Sequence, residues 1–141
     1  MWEVVNGHGT TGASRLPFPD IQMCGKTGTA QVRRIAGGQR GQSGAWRYRD
    51  HGLFVFFAPF ERPLYAGAVV IEHGLGGARA AAPVAKDVLT YLFDKDLAMQ
   101  SLLALEAQWG GTMMERMERR AAAWRAARGG GTAAPEPGSA A

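Results

Sequence analysis

The 141-residue sequence lacks several features that define common classes of protein. It contains a single cysteine, Cys24, so no internal disulfide can form. It has no run of about 18 apolar residues, so the sequence contains no membrane-spanning helix. The N-terminus has neither the basic start nor the apolar stretch of a signal peptide. Residues 1–6 are instead typical of a helix end, which predicts that the chain starts within a domain.

The sequence also lacks the spacing of metal and cofactor motifs. Its histidines, His8, His51 and His73, lie far apart in sequence and form no H-x-x-x-H pair, so we interpret the latter two as ordinary strand-end residues. The glycines of residues 74–77 do not form G-x-G-x-x-G, and a flexible strand-to-helix connection is predicted there. We therefore expect no metal site and no cofactor.

Positive charge is in moderate excess, with a net charge of +4. The excess lies in residues 1–93, which hold ten Lys or Arg and six Asp or Glu, whereas residues 94–141 hold six of each. It clusters at Arg33, Arg34, Arg40, Arg47 and Arg49. Because this segment is rich in Gly and Gln and matches no nucleic-acid-binding motif, a solvated basic loop is favoured and no nucleic-acid partner is expected.

The distribution of apolar residues predicts a pair of strands. HGLFVFFAPF at 51–60 is apolar on both faces, which is typical of a central strand covered on both sides. YAGAVVIEHG at 65–74 follows after a short turn, so the two strands should form an antiparallel hairpin. Residues 21–32 predict a strand at either end with a glycine-punctuated middle, and residues 33–49 predict a polar connection.

A helix is predicted from APVAKDVLTYLF at 82–93, because Pro83 suits the first turn of a helix. Four apolar residues fall on one helical face, which can lie across the sheet: Val84, Val88, Tyr91 and Leu92. Antiparallel strands packed by a helix form an α+β arrangement.

The C-terminal third of the sequence predicts a helical tail over residues 94–128. LAMQSLLALEAQW at 97–109 predicts a helix that ends at Gly110-Gly111, and residues 113–128 predict a second helix with a Glu115–Arg119 pair. One stripe of the second helix is apolar: Met113, Met117, Ala121 and Trp124. Such a stripe could dock on a partner or a membrane surface, but packing on its own domain is favoured. Residues 129–141 are interpreted as disordered on composition.

The stretch MCGKTGTAQV at 23–32 admits two interpretations. Its GKT triplet would suit a phosphate-binding loop, but the first glycine of that motif would fall at Asp20, whose carboxylate would repel phosphate. The residues that follow the triplet are β-branched and include a glycine, so they are not typical of the helix start that such a loop needs. A phosphate loop is therefore disfavoured.

The overlapping KTG triplet, Lys26-Thr27-Gly28, suits a strand that borders a binding site. An ammonium group beside a hydroxyl can hold a carboxylate, and glycine lets the backbone of a ligand approach the strand edge. Free N–H groups on that edge can pair with an extended peptide or hold a developing oxyanion. Taken alone, the triplet is also consistent with a turn that carries a solvated lysine.

Cys24 could be a nucleophile, because the ammonium of Lys26 could lower the pKa of its thiol. No histidine lies near Cys24 in sequence to act as a base. We therefore expect a packed, unreactive thiol.

Longer matches place the KTG triplet in context. The segments MWEVVN, GTTG, MCGKTGTAQV, RDHGLFVFFAPF, RPLYAGAVVIEHG and AAPVAKDVL follow one another over residues 1–93. In order and spacing they resemble the penicillin-binding proteins, in particular the elongation-specific peptidoglycan D,D-transpeptidases of rod-shaped bacteria. The resemblance implies the α+β fold of serine transpeptidases and class A β-lactamases, a central antiparallel sheet covered by helices. Residues 1–93 would be the C-terminal third of the transpeptidase domain, with KTG on its third strand.

The resemblance also implies roles for individual residues. Lys26, Thr27 and Gly28 would be catalytic: the lysine sets a positive field and helps proton transfer, the threonine hydroxyl supports it, and the glycine clears room for substrate. The same three residues and Thr29 would bind the terminal D-Ala-D-Ala of the substrate or a β-lactam. Thr29 would also give its backbone N–H to the oxyanion hole.

Of the three motifs that define the family, only the third is present. Ser14, Ser43 and Ser101 are not followed by lysine at the third position, and no S-x-N occurs. The nucleophile is therefore expected upstream of Met1, and the chain alone is predicted to be inactive. The alternative is a non-catalytic, stand-alone peptide-binding or interaction module.

The partners implied by the resemblance are peptidoglycan stem peptides and β-lactam antibiotics. In the intact protein they would also include the cell-elongation machinery and the inner membrane. The implied location is the periplasmic face of that membrane, with an anchor outside this sequence.

Overall fold

The computed structural model describes residues 1–32 and 45–128, and it divides the chain into two compact units, Met1–Ala98 and Met99–Ala141. Arg33, Arg34 and Arg40 of the predicted basic cluster lie outside the described residues, as does the segment 129–141 that composition predicts to be disordered. None of the helices in the described part is both long and apolar enough to cross a membrane.

The first unit is built on a three-stranded antiparallel sheet. Its strands are β1 (Cys24–Ala30), β2 (His51–Ala58) and β3 (Tyr65–Ile71), in the spatial order β1-β2-β3. Together with the helices, this sheet confirms the α+β fold and the predicted hairpin of β2 and β3. The prediction holds for these two strands because they are rich in β-branched and aromatic residues, which favour a pleated and half-buried surface.

β1 corrects the prediction for residues 21–32. The strand occupies the glycine-punctuated middle of the segment rather than its two ends. The reason lies in the packing of Gly25, where a Cβ atom would overlap the ring of Phe54. Glycine is therefore the residue that lets this stretch extend over a buried aromatic ring, instead of breaking the strand.

One face of the sheet forms the core of the unit. Phe54 and Phe56 of β2 are buried there against α2 (Ala82–Phe93). The short helix α1 (Trp2–Asn6) adds Val5 to the same cluster. Burial of this apolar surface holds the helix against the sheet, at roughly 25 cal/mol for each Å² removed from water.

α2 presents a different face to the sheet from the one predicted. Its buried apolar residues are Ala82, Ala85 and Leu89, whereas the predicted face is exposed: Val84, Val88, Tyr91 and Leu92. The prediction was wrong because it chose the stripe of Val84, Val88, Tyr91 and Leu92 and left out Leu89 and the alanines. The two phenylalanines of β2 fill the space between the layers, so the helix approaches with its alanines.

The other face of the sheet is open among the described residues. Val55 is 46% exposed and Val70 is 57% exposed, although both lie in strands of the sheet. β2 is therefore central in the sheet, as predicted, but the described residues cover it on one face and not on both.

The predicted flexible connection after β3 is instead an ordered π-helical turn at Gly77–Ala81. A Cβ atom at Gly77 would overlap the carbonyl oxygen of Leu53 and would come within 3.0 Å of the carbonyl oxygen of Gly28. The absence of a side chain thus lets the turn rest directly on the backbones of β1 and β2 before it continues into α2.

The C-terminal helices are α3 (Lys95–Gln108) and α4 (Met113–Ala127). The predicted break between them is confirmed, because Gly110 and Gly111 both have left-handed φ angles, +80° and +109°.

α4 begins with a capping box. The side chain of Thr112 accepts a hydrogen bond from the backbone N–H of Glu115, whose carboxylate accepts one from the N–H of Thr112 at 2.8 Å. Arg119 donates a hydrogen bond to the carbonyl oxygen of Gly110, and its positive charge also acts on the carboxylate of Glu115, its predicted partner.

Candidate functional site

The edge of β1 that faces away from β2 is the candidate site. In the described part of the chain no strand pairs with it, and the N–H of Gly25 donates to the carbonyl oxygen of Met1 across it at 3.3 Å. Because backbone groups alternate in direction along a strand, Thr27 and Thr29 direct their N–H and C=O groups to the same edge. The KTG stretch therefore offers an open row of backbone donors and acceptors.

Lys26 places its ammonium group at this edge. The side chain is exposed, and its Nζ atom donates a hydrogen bond to the carbonyl oxygen of Thr27 at 2.9 Å. The positive charge thus lies beside the outward-facing backbone groups of β1, where an incoming carboxylate would meet it.

Gly28 lies on the open face of the sheet, in register with Leu53 of β2. A Cβ atom at this position would meet only the side chain of Leu53, at 3.4 Å and beyond. The fold therefore does not require glycine here, in contrast to Gly25. The missing side chain leaves space for a ligand that approaches the open face of the sheet.

The beginning of β1 is fixed by the N-terminal helix. The side-chain amide of Asn6 donates to the carbonyl oxygen of Met23 at 2.8 Å, and Met23 itself is fully buried. α1 and the strand are thus tied together just before KTG, which sets the position of the edge.

Cys24 is not placed to act as a nucleophile. Its side chain is fully buried, and burial raises the pKa of the Cys24 thiol above its usual range, which outweighs the opposing effect of the N-terminal charge. A raised pKa leaves less thiolate, so the structure agrees with the expected packed thiol.

An aromatic and histidine cluster lies at the start of β2, where His51 pairs with Ala30 of β1, and sequence reasoning missed it. The ring centroids of His51 and His73 are 4.9 Å apart, and those of Trp46 and His73 are 4.2 Å apart. Nδ1 of His51 accepts the backbone N–H of His73 at 2.9 Å. The signal that could have found the pair is the hairpin register, which brings residues 22 positions apart together across β2 and β3.

These histidines do not build a metal site within residues 1–32 and 45–128. No group of three or more potential metal ligands occurs there. The second ring nitrogen contact, between His73 Nδ1 and the carbonyl oxygen of Arg49 at 2.9 Å, ties the cluster to the segment before β2. Its described contacts are structural.

The match to a family model identifies the class of protein. Residues 1–90 match the family model described as the penicillin-binding protein transpeptidase domain. The chain therefore belongs to the penicillin-binding protein transpeptidase family.

Within that family, its relatives include peptidoglycan D,D-transpeptidases named MrdA. Over 85 residues the chain is 48% identical to the peptidoglycan D,D-transpeptidase MrdA of Acinetobacter baumannii, a match that covers 59% of this chain. The match spans 12% of that relative, so the chain corresponds to a small part of its length.

Two solved structures are similar to the chain. One is penicillin-binding protein 2 of Pseudomonas aeruginosa in complex with WCK 5153. The sequence identity is 40% and the TM-score is 0.47, and the match covers 63% of this chain and 16% of that chain. The other is the complex of penicillin-binding protein 2 and MreC of Helicobacter pylori. The sequence identity is 31% and the TM-score is 0.48, and the match covers 67% of this chain and 16% of that chain.

Proposed function

We propose that this chain supplies the KTG-bearing strand edge of a peptidoglycan D,D-transpeptidase of the penicillin-binding protein 2 type. The observation that carries the proposal is the open edge of β1, where a lysine ammonium and outward-facing backbone groups lie side by side. An extended peptide that ends in a carboxylate is the ligand that such an edge fits. The D-Ala-D-Ala end of a stem peptide has this chemistry, and so does a β-lactam that imitates it.

Lys26 would bind the terminal carboxylate. Its ammonium already donates to a neutral carbonyl oxygen, and a carboxylate is a stronger acceptor. Thr27 and Thr29 would add their hydroxyl groups to the same network. Lys26 would also hold a positive field over the proton transfers at the reacting serine, which makes it a catalytic residue in this proposal together with Thr27 and Gly28.

Thr29 would stabilise the oxyanion that forms when the serine attacks. Its N–H points to the free edge, where one such donor typically contributes about 3 kcal/mol of transition-state stabilisation. Gly28 would let the substrate backbone come close enough to use that donor, because the fold leaves the space beside it open.

The nucleophile would come from residues other than those of this chain, because no serine here has the S-x-x-K setting. In the complete enzyme that serine would attack the D-Ala-D-Ala carbonyl and release D-Ala. The acyl group would then pass to the amine of a neighbouring stem peptide. An oxyanion donor without a nucleophile does not turn over substrate, so the chain alone should be inactive.

The first test measures binding by surface plasmon resonance on the immobilised chain. A short peptide that ends in D-Ala-D-Ala should bind, and the same peptide with an amidated C-terminus should bind about tenfold more weakly, because the charge-assisted hydrogen bond to Lys26 is lost. Lys26→Gln should remove the difference between the two peptides. The matched control is Arg62→Gln, which also removes one positive charge but lies outside the edge, and it should keep the difference.

The outcome of that test separates the two candidate functions. A non-catalytic interaction module is the better description if L-Ala-L-Ala peptides bind as well as D-Ala-D-Ala peptides and amidation changes nothing. Covalent labelling by a fluorescent penicillin provides the second arm: the 141-residue chain should remain unlabelled. Labelling of this chain would contradict the assignment of the nucleophile to other residues.

Partners and location follow from the same proposal. We place the complete protein at the periplasmic face of the inner membrane, where the stem peptides are cross-linked during elongation. A protein of the cell-elongation machinery is the expected protein partner there.

A further inference from the structure

α4 carries an apolar stripe that is exposed on its own unit. Met113 is 61% exposed, Met117 is 59% exposed and Trp124 is 52% exposed. At 3.6 residues per turn these three side chains share one side of the helix, with Ala121 and Met114 beside them. The sequence favoured packing of the stripe on its own domain; within the unit that contains α4, its larger side chains are exposed.

The charges of α4 are arranged around this stripe. Residues 113–128 contain five arginines and two glutamates. Arg120 and Arg125 border the stripe on its two sides, and the guanidinium of Arg128 lies 4.3 Å from the centre of the Trp124 ring. Both glutamates fall farther from the middle of the stripe, and Glu115 is engaged in the capping box. The side of the helix that is apolar is therefore also its most positive side.

An arginine-lined hollow adjoins the stripe. It has a volume of about 330 Å³ and is lined by Arg116, Arg119, Arg120 and Ala123. The Nε atom of Arg116 is shielded from water and has no hydrogen-bond partner among the described residues, while its guanidinium lies 5.0 Å from the centre of the Trp109 ring. The guanidinium groups around the hollow can donate charge-assisted hydrogen bonds, for which a phosphate oxygen is a strong acceptor.

We propose that α4 lies on an anionic phospholipid surface, with the stripe in the interface and the arginine hollow on the headgroup phosphates. Trp and Met side chains on one face with flanking arginines are the composition of a helix that lies in the plane of a membrane interface. The inference goes beyond the proposed transpeptidase function, because α4 lies outside residues 1–90 that match the family.

A lipid surface fits this helix better than a second copy of it. The stripe extends over only 15 helical residues, and isolated helices of this length are marginal. Two copies would also bring the arginines that border each stripe together, with like charges at the contact. An anionic surface instead presents negative charge to the arginines along the whole helix.

The test is flotation of the full chain with vesicles. We expect binding to phosphatidylcholine vesicles that contain phosphatidylglycerol and little binding to pure phosphatidylcholine. Arg116→Gln with Arg120→Gln should weaken binding roughly 25-fold, as expected for two basic residues near a charged surface. The double exchange of the same residues to lysine should retain most of the binding. Trp124→Ala with Met117→Ala should also weaken it.

The matched control is Arg47→Gln with Arg62→Gln, which removes the same charge outside α4. Its binding should stay close to that of the parent, and an equal loss would overturn the proposal in favour of general charge attraction. Equal binding to both kinds of vesicle would overturn it as well. The proposal would also be overturned if the parent chain does not float with vesicles but forms a concentration-dependent dimer that Trp124→Ala abolishes. Since the assay contains no stem peptide, its failure leaves the transpeptidase proposal untouched.

Discussion

The two glycines of β1, Gly25 and Gly28, lie three residues apart and have opposite steric surroundings. Gly25 faces the core, where a Cβ atom would overlap the ring of Phe54, and Gly28 faces open space beside Leu53. One glycine thus serves the fold, and in our proposal the other serves the ligand.

Alanine substitutions separate these two roles. Gly25→Ala should lower the free energy of unfolding by about 1–3 kcal/mol, because the buried ring must move in a packed core. Gly28→Ala should change it by less than about 0.5 kcal/mol and should weaken D-Ala-D-Ala binding. Urea denaturation measures the free energies of unfolding of both variants, and surface plasmon resonance measures their binding of the D-Ala-D-Ala peptide. A large loss of stability at Gly28 would show that the fold, rather than a ligand, requires that glycine.

The buried thiol of Cys24 gives a second prediction at this scale. Because burial raises its pKa, the thiolate fraction should be below that of a free cysteine at every pH below that pKa. The thiol should react slowly with a disulfide reagent in the native chain and rapidly in urea. If the folded chain reacts as fast as a cysteine-containing peptide, the thiol of Cys24 is neither buried nor packed.

At the scale of the elements, α2 shows what packing adds to a sequence pattern. Val84, Val88, Tyr91 and Leu92 are exposed, and the alanines and Leu89 are buried. Periodicity indicates a helix and an apolar face, but the spacing between layers decides which apolar face is used. That spacing depends on the side chains of β2, which lie far away in sequence.

A pair of neighbouring residues in α2 tests this assignment. Leu89→Ala should destabilise the unit by about 2–5 kcal/mol, because Leu89 is fully buried in the core. Val88→Ala should change the stability by about 0.5 kcal/mol at most, since its side chain is half exposed. Thermal and urea unfolding of both variants supply the comparison. Equal losses would mean that the predicted face is the buried one.

The capping box of α4 predicts a dependence on pH. The hydrogen bonds with Thr112 lower the pKa of Glu115 below 4.5, with a smaller contribution from Arg119. A lowered pKa means that the cap stabilises the helix above pH 4.5 and is lost as pH falls through the lower value. An NMR titration of the Glu115 carboxyl, read together with the Thr112 amide, should show this transition.

Glu115→Gln supplies the control for that titration. Glutamine keeps a capping side chain and does not ionise, so the Thr112 amide should lose its dependence on pH over this range. A Glu115 carboxyl that titrates at 4.5 or above in the parent would refute the cap.

For the molecule as a whole, the open face of the sheet predicts self-association. Val55 and Val70 are exposed there. An apolar surface of this kind on an isolated chain favours contact between copies. Sedimentation velocity should show a mass that rises with concentration. Val55→Thr should raise the monomer fraction more than Val32→Thr, a matched change outside the sheet. A concentration-independent monomer would contradict the prediction.

Much of this architecture was predictable from the sequence, and the failures have physical causes. β2 and β3 were found because their apolar character is strong, and the break between α3 and α4 was found because paired glycines end a helix. The residue pattern of 21–32 alone missed the interior of β1, because glycine ordinarily weakens a strand, whereas the family resemblance predicted KTG on a strand. The His51–His73 pair depends on strand register, which composition does not contain.

The candidate site was predictable as a motif and not as a geometry. The residues of KTG could be named from the sequence, whereas the direction of their backbone groups depends on which edge of β1 is paired. The roles given to Lys26, Thr27, Gly28 and Thr29 remain predictions until binding is measured.

The open edge of β1 has a cost that a covered strand avoids. Any extended chain can add to an unpaired strand, so a site that accepts a peptide also accepts the beginning of a fibril. Lys26 acts against this, because its ammonium occupies the carbonyl of Thr27 that a growing cross-β stack would use. In our proposal the same side chain therefore both binds the substrate and opposes fibril growth.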